Sequence, residues 1–393
     1  MTPLDELTLV GGRCMIDGLW VDAPLTVAGG EISAANGARR LDLRGYDVLP
    51  GIIDLHGDAF EHHLAPRPTA PLPLEMGLVG TDRDAASYGV TTAWMAQSWS
   101  WEGAQRGPDF AETFLAAHAE YKARMLTDLR VQIRCETYTV DTQDRLIDAV
   151  RTYGIDYVIF NNHLDEAIEI ARETPERIEA WAARAGRTPA EHMEIVHATR
   201  ARSAQVPRYL CNLATAFDNL GVRYGSHDDV DANTRAYYSA IGAKVCEFPT
   251  KRSAAAAAKA SDDPVVMGAP NVVRGGSQAG NIAAVSLIRE GLCDALVSDY
   301  HYPTLAEAAL RLVDDNVMEL GDAWALISSN PARIMGLMDR GSLAPGKRAD
   351  LVIMNRETRQ IEATMAAGRW SYLSGGVAAR LSGAAQAIRI AAE

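Results

Sequence analysis

The sequence has few cysteines and no long hydrophobic run, and these absences exclude several classes of protein. Five cysteines occur among 393 residues, and their odd number and scattered positions argue against a disulfide framework or a zinc ribbon. No apolar run approaches the ~18 residues that a membrane span needs. The first ten residues, MTPLDELTLV, lack the basic segment of a secretory signal. We therefore expect a reduced, cytoplasmic environment and no membrane partner.

Positive charge is also scarce. Lysine and arginine number 38 against 51 acidic residues, which gives a net charge of −13. This balance argues against nucleic acid as a partner, because a nucleic-acid surface requires a positive field. It is compatible with one anionic small-molecule substrate, because a few arginines can form a local positive pocket. Apolar residues make up 48% of the chain, enough for a large folded core.

The middle of the chain alternates short apolar runs with helix-like segments. Eight such runs occur between residues 49 and 337, and eight parallel strands are the number that closes a (β/α)8 barrel. Helices are expected over 110–126 and 253–261 from their composition. The eight runs are GIIDLH, VTTAWMA, VQIRCETY, DYVIFNNH, VRYGSHDD, KVCEFPT, PVVMGAPN and DALVSDY.

Both ends of the chain have a different pattern. Residues 1–48 alternate apolar stretches with glycine-bearing turns, and DLVIMN (350–355) and IEATMAAGRW (361–370) resemble two late strands. We therefore predict an α/β protein with a small β-sandwich domain from residues 1–48 and 338–375. The barrel domain would occupy residues 49–337, and residues 376–393 would form a helical tail. Dimers are common for barrels of this size, so a homodimer is an expectation.

Polar residues end five of the eight apolar runs. His56 and Asp58 are two residues apart, so in a strand their side chains would face the same side. In a barrel the carboxyl ends of the strands converge on one mouth, and histidine and carboxylate are ligands of catalytic divalent ions. A single histidine or acid is more often structural, but the repetition favours a metal site. The candidate ligands are His56, Asp58, Glu136, His163, His227 and Asp299.

Other aromatic residues and histidines leave alternatives open. Trp99 and Trp101 would form either a hydrophobic plug between helices or an apolar wall against the substrate. His62 and His63 lie close to the first metal motif, where either could support a ligand or contact phosphate. The histidines expected at the surface are His118, His192 and His197.

Three segments together resemble the amidohydrolase superfamily. They are VLPGIIDLHGD, the SDY at the last barrel run, and NPARIMGLMDRGSLAPGKRADLVIMN (330–355). The resemblance covers nearly the whole chain. It implies a metal-dependent hydrolase with a (β/α)8 barrel and a small β-sandwich built from both termini, in agreement with the alternation described above.

The resemblance also implies roles for individual residues. The family motif HxH falls on His56-Gly57-Asp58, where an aspartate stands in place of the second histidine. The bridging ligand would be Glu136, the two later histidines would be His163 and His227, and Asp299 would be both a ligand and the general base. The implied cofactor is one or two divalent ions. Zinc is the first expectation, and the oxygen-rich site leaves Mn or Fe as alternatives.

A narrower resemblance concerns the substrate. LHGDAFEHHLAPRP, SHDD, CEFPT, MGAPNVVRGGSQAGN and SDYHYPT are similar to the phosphonate-metabolism branch of the superfamily. This branch implies hydrolysis of alpha-D-ribose 1-methylphosphonate 5-triphosphate to the 5-phosphate and diphosphate. The same machinery could instead cleave an amide, a cyclic amide or a lactone, so that activity is the alternative.

A triphosphate needs several cations and hydrogen-bond donors in one pocket. Loops that follow barrel strands carry function, and the arginine fork suits phosphate oxygens. Arg67 follows the first metal motif, and the GGS segment after Arg274 could offer backbone N–H groups and a hydroxyl. The candidate substrate contacts are Arg67, Lys251, Arg252, Arg274 and Ser277.

Overall fold

A computed structural model describes residues 6–35, 37, 39–67, 70–278 and 280–392 of the chain. It confirms an α/β protein with an eight-stranded parallel barrel and a separate β domain made by both termini. The first five residues of the segment considered as a signal lie outside the described residues. Within the described ranges, none of the helices combines the length and hydrophobicity needed to cross a membrane.

The N-terminal strands build most of the small β domain. Buried apolar residues at short intervals, such as Leu7, Leu9, Val27 and Val48, give these segments one face that packs inward. The strands are β1 (Glu6–Val10), β2 (Arg13–Ile16), β3 (Leu19–Val21), β4 (Leu25–Ala28), β5 (Glu31–Ser33), β6 (Arg40–Asp42) and β7 (Tyr46–Pro50).

The eight barrel strands fall on the eight apolar runs that the sequence indicated. They are rich in β-branched and aromatic residues and buried on both faces, as parallel strands under a layer of helices must be. They are β8 (Ile52–Gly57), β9 (Val90–Trp99), β10 (Asp128–Glu136), β11 (Tyr157–Asn161), β12 (Arg223–His227), β13 (Val245–Glu247), β14 (Val265–Gly268) and β15 (Ala295–Val297).

Three late strands complete the β domain: β16 (Leu351–Asn355), β17 (Ile361–Ala366) and β18 (Arg369–Leu373). They join a six-stranded sheet in the order β18-β17-β16-β7-β2-β3, which faces a four-stranded sheet in the order β5-β4-β1-β6. β16 pairs antiparallel with β7, so the two termini meet in one sheet. Because β7 runs to Pro50, its last two residues pair in this sheet, although they fall inside the range 49–337 predicted for the barrel.

Helices cover the outside of the barrel and end the chain. The two segments with helical composition largely coincide with the helix Pro108–Tyr121 and its following turn and with the helix Arg252–Ala260. The helices are α1 (Ala59–Leu64), α2 (Leu74–Ser87), α3 (Pro108–Tyr121), α4 (Gln143–Tyr153), α5 (Leu164–Glu173), α6 (Pro175–Arg184), α7 (Pro189–Arg200), α8 (Val206–Leu220), α9 (Ala232–Ala240), α10 (Arg252–Ala260), α11 (Ala269–Arg274), α12 (Ala284–Arg289), α13 (Thr304–Asp314), α14 (Leu320–Ala325), α15 (Ser329–Ile334) and α16 (Gly375–Ala392).

The barrel strands follow one another around the sheet in chain order, from β8 to β15. Each is parallel to its neighbour, and the ring closes where Gly57 of β8 pairs with Asp299, two residues beyond β15. The alternation within β10 shows which side chains face inward. Ile133 and Cys135 pack in the core between strands and helices, so Gln132, Arg134 and Glu136 face the barrel interior.

An ion-pair network ties the barrel to the segment that leads into β16. Asp128, at the start of β10, lies 2.9 Å from Arg130, 2.7 Å from Arg340 and 3.5 Å from Arg348. Burial alone would raise the pKa of Asp128, but the three guanidinium groups outweigh it and lower the pKa to about 2. One carboxylate therefore holds two parts of the chain that are more than 200 residues apart.

We predict that D128N lowers the free energy of unfolding at pH 7 by about 2 kcal/mol, because the lowered pKa of Asp128 corresponds to about that much stabilisation. Since the folded-state pKa is depressed, this contribution is complete above pH ~4 and is lost as the pH falls through about 2. Urea unfolding of both proteins measures it. D109N, at an exposed ion pair with Arg145, should change stability by less than ~0.5 kcal/mol. Equal stabilities of D128N and wild type would contradict the prediction.

Candidate metal centre

Barrel closure brings together the first and last of the predicted ligands. The Asp58 N–H donates to the Asp299 carbonyl at 2.6 Å, and the Asp299 N–H donates to the His56 carbonyl at 3.1 Å. A side chain at Gly57 would stand 2.6 Å from the Ser298 hydroxyl, so only glycine allows this close approach. Backbone hydrogen bonds therefore set the positions of His56, Asp58 and Asp299 relative to one another.

Three non-glycine residues around the same mouth have a left-handed backbone. Asp228, Phe248 and Asp299 have φ angles of 59°, 50° and 58°. Each of these conformations costs ~1 kcal/mol or more and persists where the surrounding structure enforces it. All three follow the ends of barrel strands, where the chain turns sharply and presents side chains to the mouth.

The first group of donor atoms consists of His56, His227 and Glu247, whose ligand atoms lie within 4.8 Å of one another. The His56 Nδ1 lies 2.8 Å from a carboxylate oxygen of Glu247, and the rings of His56 and His227 are 5.2 Å apart. Glu247 is fully buried and also accepts hydrogen bonds from the Tyr157 hydroxyl at 2.6 Å and from Gln132 at 2.9 Å. These contacts orient the glutamate, which in turn fixes the His56 ring.

Charge coupling within this group follows from the same contacts. Burial opposes the charged form of His56, but the nearby Glu247 carboxylate outweighs it and raises the pKa of His56. Burial likewise acts to raise the pKa of Glu247, and the His56 ring reverses this so that the pKa is lowered. Burial lowers the pKa of His227, which favours the neutral ring that a metal ligand requires.

The second group consists of Glu102, Glu136 and His163, again with ligand atoms within 4.8 Å. The His163 Nδ1 lies 2.7 Å from Glu136 and 3.4 Å from Glu102. Burial would lower the pKa of His163, but the two carboxylates raise it to about 10. The indole N–H of Trp101 donates to Glu136 at 3.3 Å, so this tryptophan supports a candidate ligand.

The chemistry of these donors fits a divalent ion. Each group combines imidazole nitrogen with carboxylate oxygen, the ligand set of catalytic zinc and related ions. Five of the six predicted ligands line one cavity of about 910 Å³ at the barrel mouth, and the sixth, Glu136, contacts His163. Buried partners already hold ligand nitrogens and oxygens at fixed spacings in four of these residues: His56, Glu247, Glu136 and His163. The ligand roles themselves stay predictions.

Arg274 and Ser277 line the same cavity, at the end of α11 and in the loop beyond it. The Arg274 Nη1 donates to the Tyr300 hydroxyl at 2.8 Å and to Gln278 at 3.1 Å. One wall of the cavity, formed by α5, is acidic and contributes Asp165, Glu166, Glu169 and Glu173, although Arg177 on α6 also lines the cavity. The cavity therefore contains both cationic and anionic side chains.

The other three predicted substrate contacts are placed differently. Arg252 is exposed, and its Nε lies 2.6 Å from Glu290 on the outside of the barrel. Lys251 is exposed at the residue before α10, and Arg67 is exposed in the loop after α1. Among the described residues that line the large cavity, none of these three is present.

The remaining histidines and tryptophans fall into distinct environments. Trp99 is fully buried in the core, where its indole N–H donates to Thr142 at 2.9 Å, so it forms the hydrophobic plug. The surface prediction for His192 is wrong: the ring is fully buried between Trp101 and Trp181, with centroids 5.8 Å from each. This packing depends on α6 and α7, which lie far from β9 in sequence.

His118 is half-buried rather than exposed, because its Nε2 lies 3.0 Å from the Leu129 carbonyl. His197 is exposed, as expected. His63 lies 3.3 Å from Asp84, whereas His62 lines a smaller cavity of about 310 Å³ with Glu102. Neither His62 nor His63 lines the large cavity, within the residues that the structure describes.

Comparison with known proteins now decides the family. A model of the amidohydrolase family matches residues 80–375. The chain belongs to the amidohydrolase family. A relative from Escherichia coli strain K12, alpha-D-ribose 1-methylphosphonate 5-triphosphate diphosphatase, is 32% identical over 355 residues, covering 87% of this chain and 93% of that protein. The chain is therefore a hydrolase of the amidohydrolase superfamily.

Solved structures share the fold at low sequence identity. N-acetylglucosamine-6-phosphate deacetylase from Pasteurella multocida has a TM-score of 0.62 at 13% identity, covering 93% of this chain and 99% of that one. Dihydropyrimidinase from Brevibacillus agri has a TM-score of 0.60 at 12% identity, covering 95% and 97% of the two chains. Identities this low establish the amidohydrolase architecture and leave the substrate to the site itself.

Sequence reasoning missed three acidic residues around this centre. Glu247 follows the apolar residues of the run KVCEFPT and ends β13, so it carried the same signal as the chosen ligands and could have been found. Asp228 follows His227 directly, lines the cavity, and lies 2.8 Å from the His227 Nδ1. Glu102 lies three residues beyond β9 in an irregular loop, where no strand pattern could indicate its direction.

We predict that E247Q lowers the affinity for divalent metal by about 10- to 100-fold, because it weakens the contact that orients His56. Metal retained after dialysis against a graded series of chelator concentrations, measured by atomic emission, gives the affinity. E112Q, which changes a partly exposed partner of Arg145, is the matched control. Identical retention curves for E247Q and E112Q would show that Glu247 has no part in metal binding.

Proposed function

We propose that this amidohydrolase cleaves alpha-D-ribose 1-methylphosphonate 5-triphosphate to the 5-phosphate and diphosphate. The observation that carries the proposal is the 32% identity to the Escherichia coli diphosphatase over 93% of that protein. A cavity of about 910 Å³ with Arg274 and Ser277 in its lining is consistent with a phosphorylated sugar. The same cavity contains the candidate metal ligands, so the phosphate chain can extend beside them.

The proposed metal ligands are His56, Asp58, Glu136, His163, His227 and Asp299, with Glu247 and Glu102 positioned to support or join them. When bound, a divalent ion makes water more acidic and stabilises negative charge on phosphoryl oxygens. The donor set suits zinc, and its many carboxylates also suit Mn or Fe. Asp58 would contribute an oxygen where the family motif has a nitrogen, which keeps Mn and Fe as alternatives to zinc.

Asp299 is the proposed general base. Burial raises its pKa to about 6, with a further contribution from Asp58. A carboxylate with this pKa is mostly ionised at pH 7 and is basic enough to accept a proton from attacking water. Its backbone is held against His56 and Asp58 by barrel closure, so the base lies beside the candidate ligands.

The outer phosphates would contact Arg274 and the loop around Ser277. The Tyr300 hydroxyl holds one terminal nitrogen of Arg274, which leaves other N–H groups of the fork for phosphate oxygens. Arg67, Lys251 and Arg252 are exposed, and the proposal does not depend on them.

The acidic wall of the cavity favours a second candidate function. Glu166, Glu169 and Glu173 on α5 line the cavity and would repel a polyanion that approached them. A substrate with a neutral or cationic part would suit this wall. Hydrolysis of an amide, a cyclic amide or a lactone is therefore the alternative, with the same metal ligands and the same base.

We predict that the metal-loaded protein releases diphosphate from the ribosyl triphosphate, with turnover abolished by a chelator and restored by added divalent metal. Released phosphate and diphosphate are measured separately, against a parallel panel of hydantoins, lactones and N-acyl amino acids. Turnover of that panel with none of the triphosphate would replace the proposed function by the alternative.

We expect D299N to reduce kcat by about 10²- to 10⁴-fold, the range associated with loss of a general base. The amide is similar in shape but far less basic, so the defect should persist at saturating metal. Steady-state kinetics with metal content measured on the same samples separates loss of the base from loss of the ion. A D299N enzyme with normal kcat and full metal content would exclude Asp299 as the base.

A further inference from the structure

Arg134 is a buried arginine inside the barrel. It lies on β10 two residues before Glu136, and its alternation with the core residues Ile133 and Cys135 directs it inward. Only 8% of the residue is exposed, and it lines the large cavity together with His56, Asp58 and Asp299. A guanidinium therefore stands in the cavity wall among the candidate metal ligands.

The Arg134 guanidinium is not fully hydrogen-bonded within the part of the chain that the structure describes. Within the described residues, the buried Nε of Arg134 has no hydrogen-bond partner. Its Nη1 is 3.9 Å from the Asp58 carboxylate, which is longer than a hydrogen bond. A buried charged group without hydrogen bonds is costly, so such a group points to a ligand that supplies the missing acceptors.

Arg235 provides an internal comparison. Its side chain is also fully buried, but the Nη1 donates to the Ser226 hydroxyl at 2.7 Å and to the Val245 carbonyl at 3.2 Å, and its Nε donates to the Ser239 hydroxyl at 3.1 Å. Arg235 is a structural residue held within the protein. Arg134 differs because it faces the cavity and lacks those acceptors.

The electrostatic setting of Arg134 suits an anion that approaches the metal. Asp58, Asp228 and Asp299 line the same cavity and would repel phosphate oxygens if no cation were present. Arg134 lies within ion-pair distance of Asp58 and shares the cavity lining with Asp228 and Asp299. A guanidinium fixed here lets a phosphoryl group lie close to these carboxylates.

We propose that Arg134 binds the phosphoryl group of the substrate that lies beside the metal ligands. This inference rests on the proposed phosphohydrolase function and deepens it. The planar fork would donate to phosphoryl oxygens as negative charge develops on them. Arg134 would thus act at the reacting group, and Arg274 would contact phosphates farther along the chain.

Binding of inorganic phosphate to the metal-loaded protein tests the proposal without relying on turnover. Isothermal titration calorimetry compares wild type with R134M and R134K, and the metal content of each sample is measured. R311M changes an exposed arginine that pairs with Asp315 on the surface and is the control. We expect phosphate affinity to fall at least tenfold in R134M, with metal content retained, and no change in R311M. A lysine keeps the charge but not the fork, so R134K should fall between R134M and wild type.

Unchanged phosphate affinity in a folded R134M protein would overturn the inference, as would a wild-type protein that binds no phosphate. If circular dichroism shows that R134M does not fold, the R134K protein provides the test. A phosphate affinity of R134K equal to that of wild type would reject a role for the guanidinium fork. The two proposals fail separately. If R134M cleaves the triphosphate with the wild-type kcat, the role proposed for Arg134 is rejected and the proposed function stands. If phosphate binding depends on Arg134 but the enzyme cleaves only amides, the anion site stands and the diphosphatase function is rejected.

Discussion

The pair of backbone hydrogen bonds that closes the barrel is the constraint on which the site depends. They join Asp58 to Asp299 and Asp299 to His56, at 2.6 Å and 3.1 Å, so the closing contact of the fold is made by candidate ligands. Gly57 permits this approach because a side chain there would collide with Ser298. Peptide geometry, unlike a flexible side chain, holds these groups at fixed spacing before any ion or substrate is bound, which removes much of the entropic cost of assembling the site.

The charges of the molecule explain why short-range contacts must select the substrate. A net charge of −13 does not attract a polyanion over long distances, and screening by salt limits such effects to about 10 Å. Affinity for a phosphorylated substrate must therefore come from groups inside the cavity. In the proposed function, Arg134, Arg274 and a divalent ion held by the candidate ligands would supply that local field, whereas the acidic residues of α5 would limit where a phosphate chain can lie.

The fold and the placement of most candidate ligands were accessible from the sequence because they follow local periodicity. All eight barrel strands coincide with short apolar runs, and five of those runs end in polar residues that the parallel arrangement carries to one mouth. Glu247 obeyed the same rule and was overlooked. The positions of Glu102 and His192 do not follow this rule. Glu102 lies in an irregular loop, and the packing of α6 and α7 places His192. Sequence order indicates which loop carries Arg252, but not that its side chain turns outward to Glu290.

The position of Arg134 gives a physical reason for the aspartate at position 58. Arg134 lies 3.9 Å from the Asp58 carboxylate, and a divalent ion beside a buried guanidinium would be repelled unless negative charge stood between them. A histidine at position 58 could bind a metal, but as a neutral ligand it would remove the carboxylate that lies within ion-pair distance of Arg134. The Asp58 carboxylate could contact both Arg134 and a bound divalent ion. The departure from HxH and the arginine inside β10 would therefore form one electrostatic unit. In the proposed function, the Asp58 carboxylate would offset the charge of Arg134 next to the candidate metal ligands, and Arg134 would in turn attract an anionic substrate.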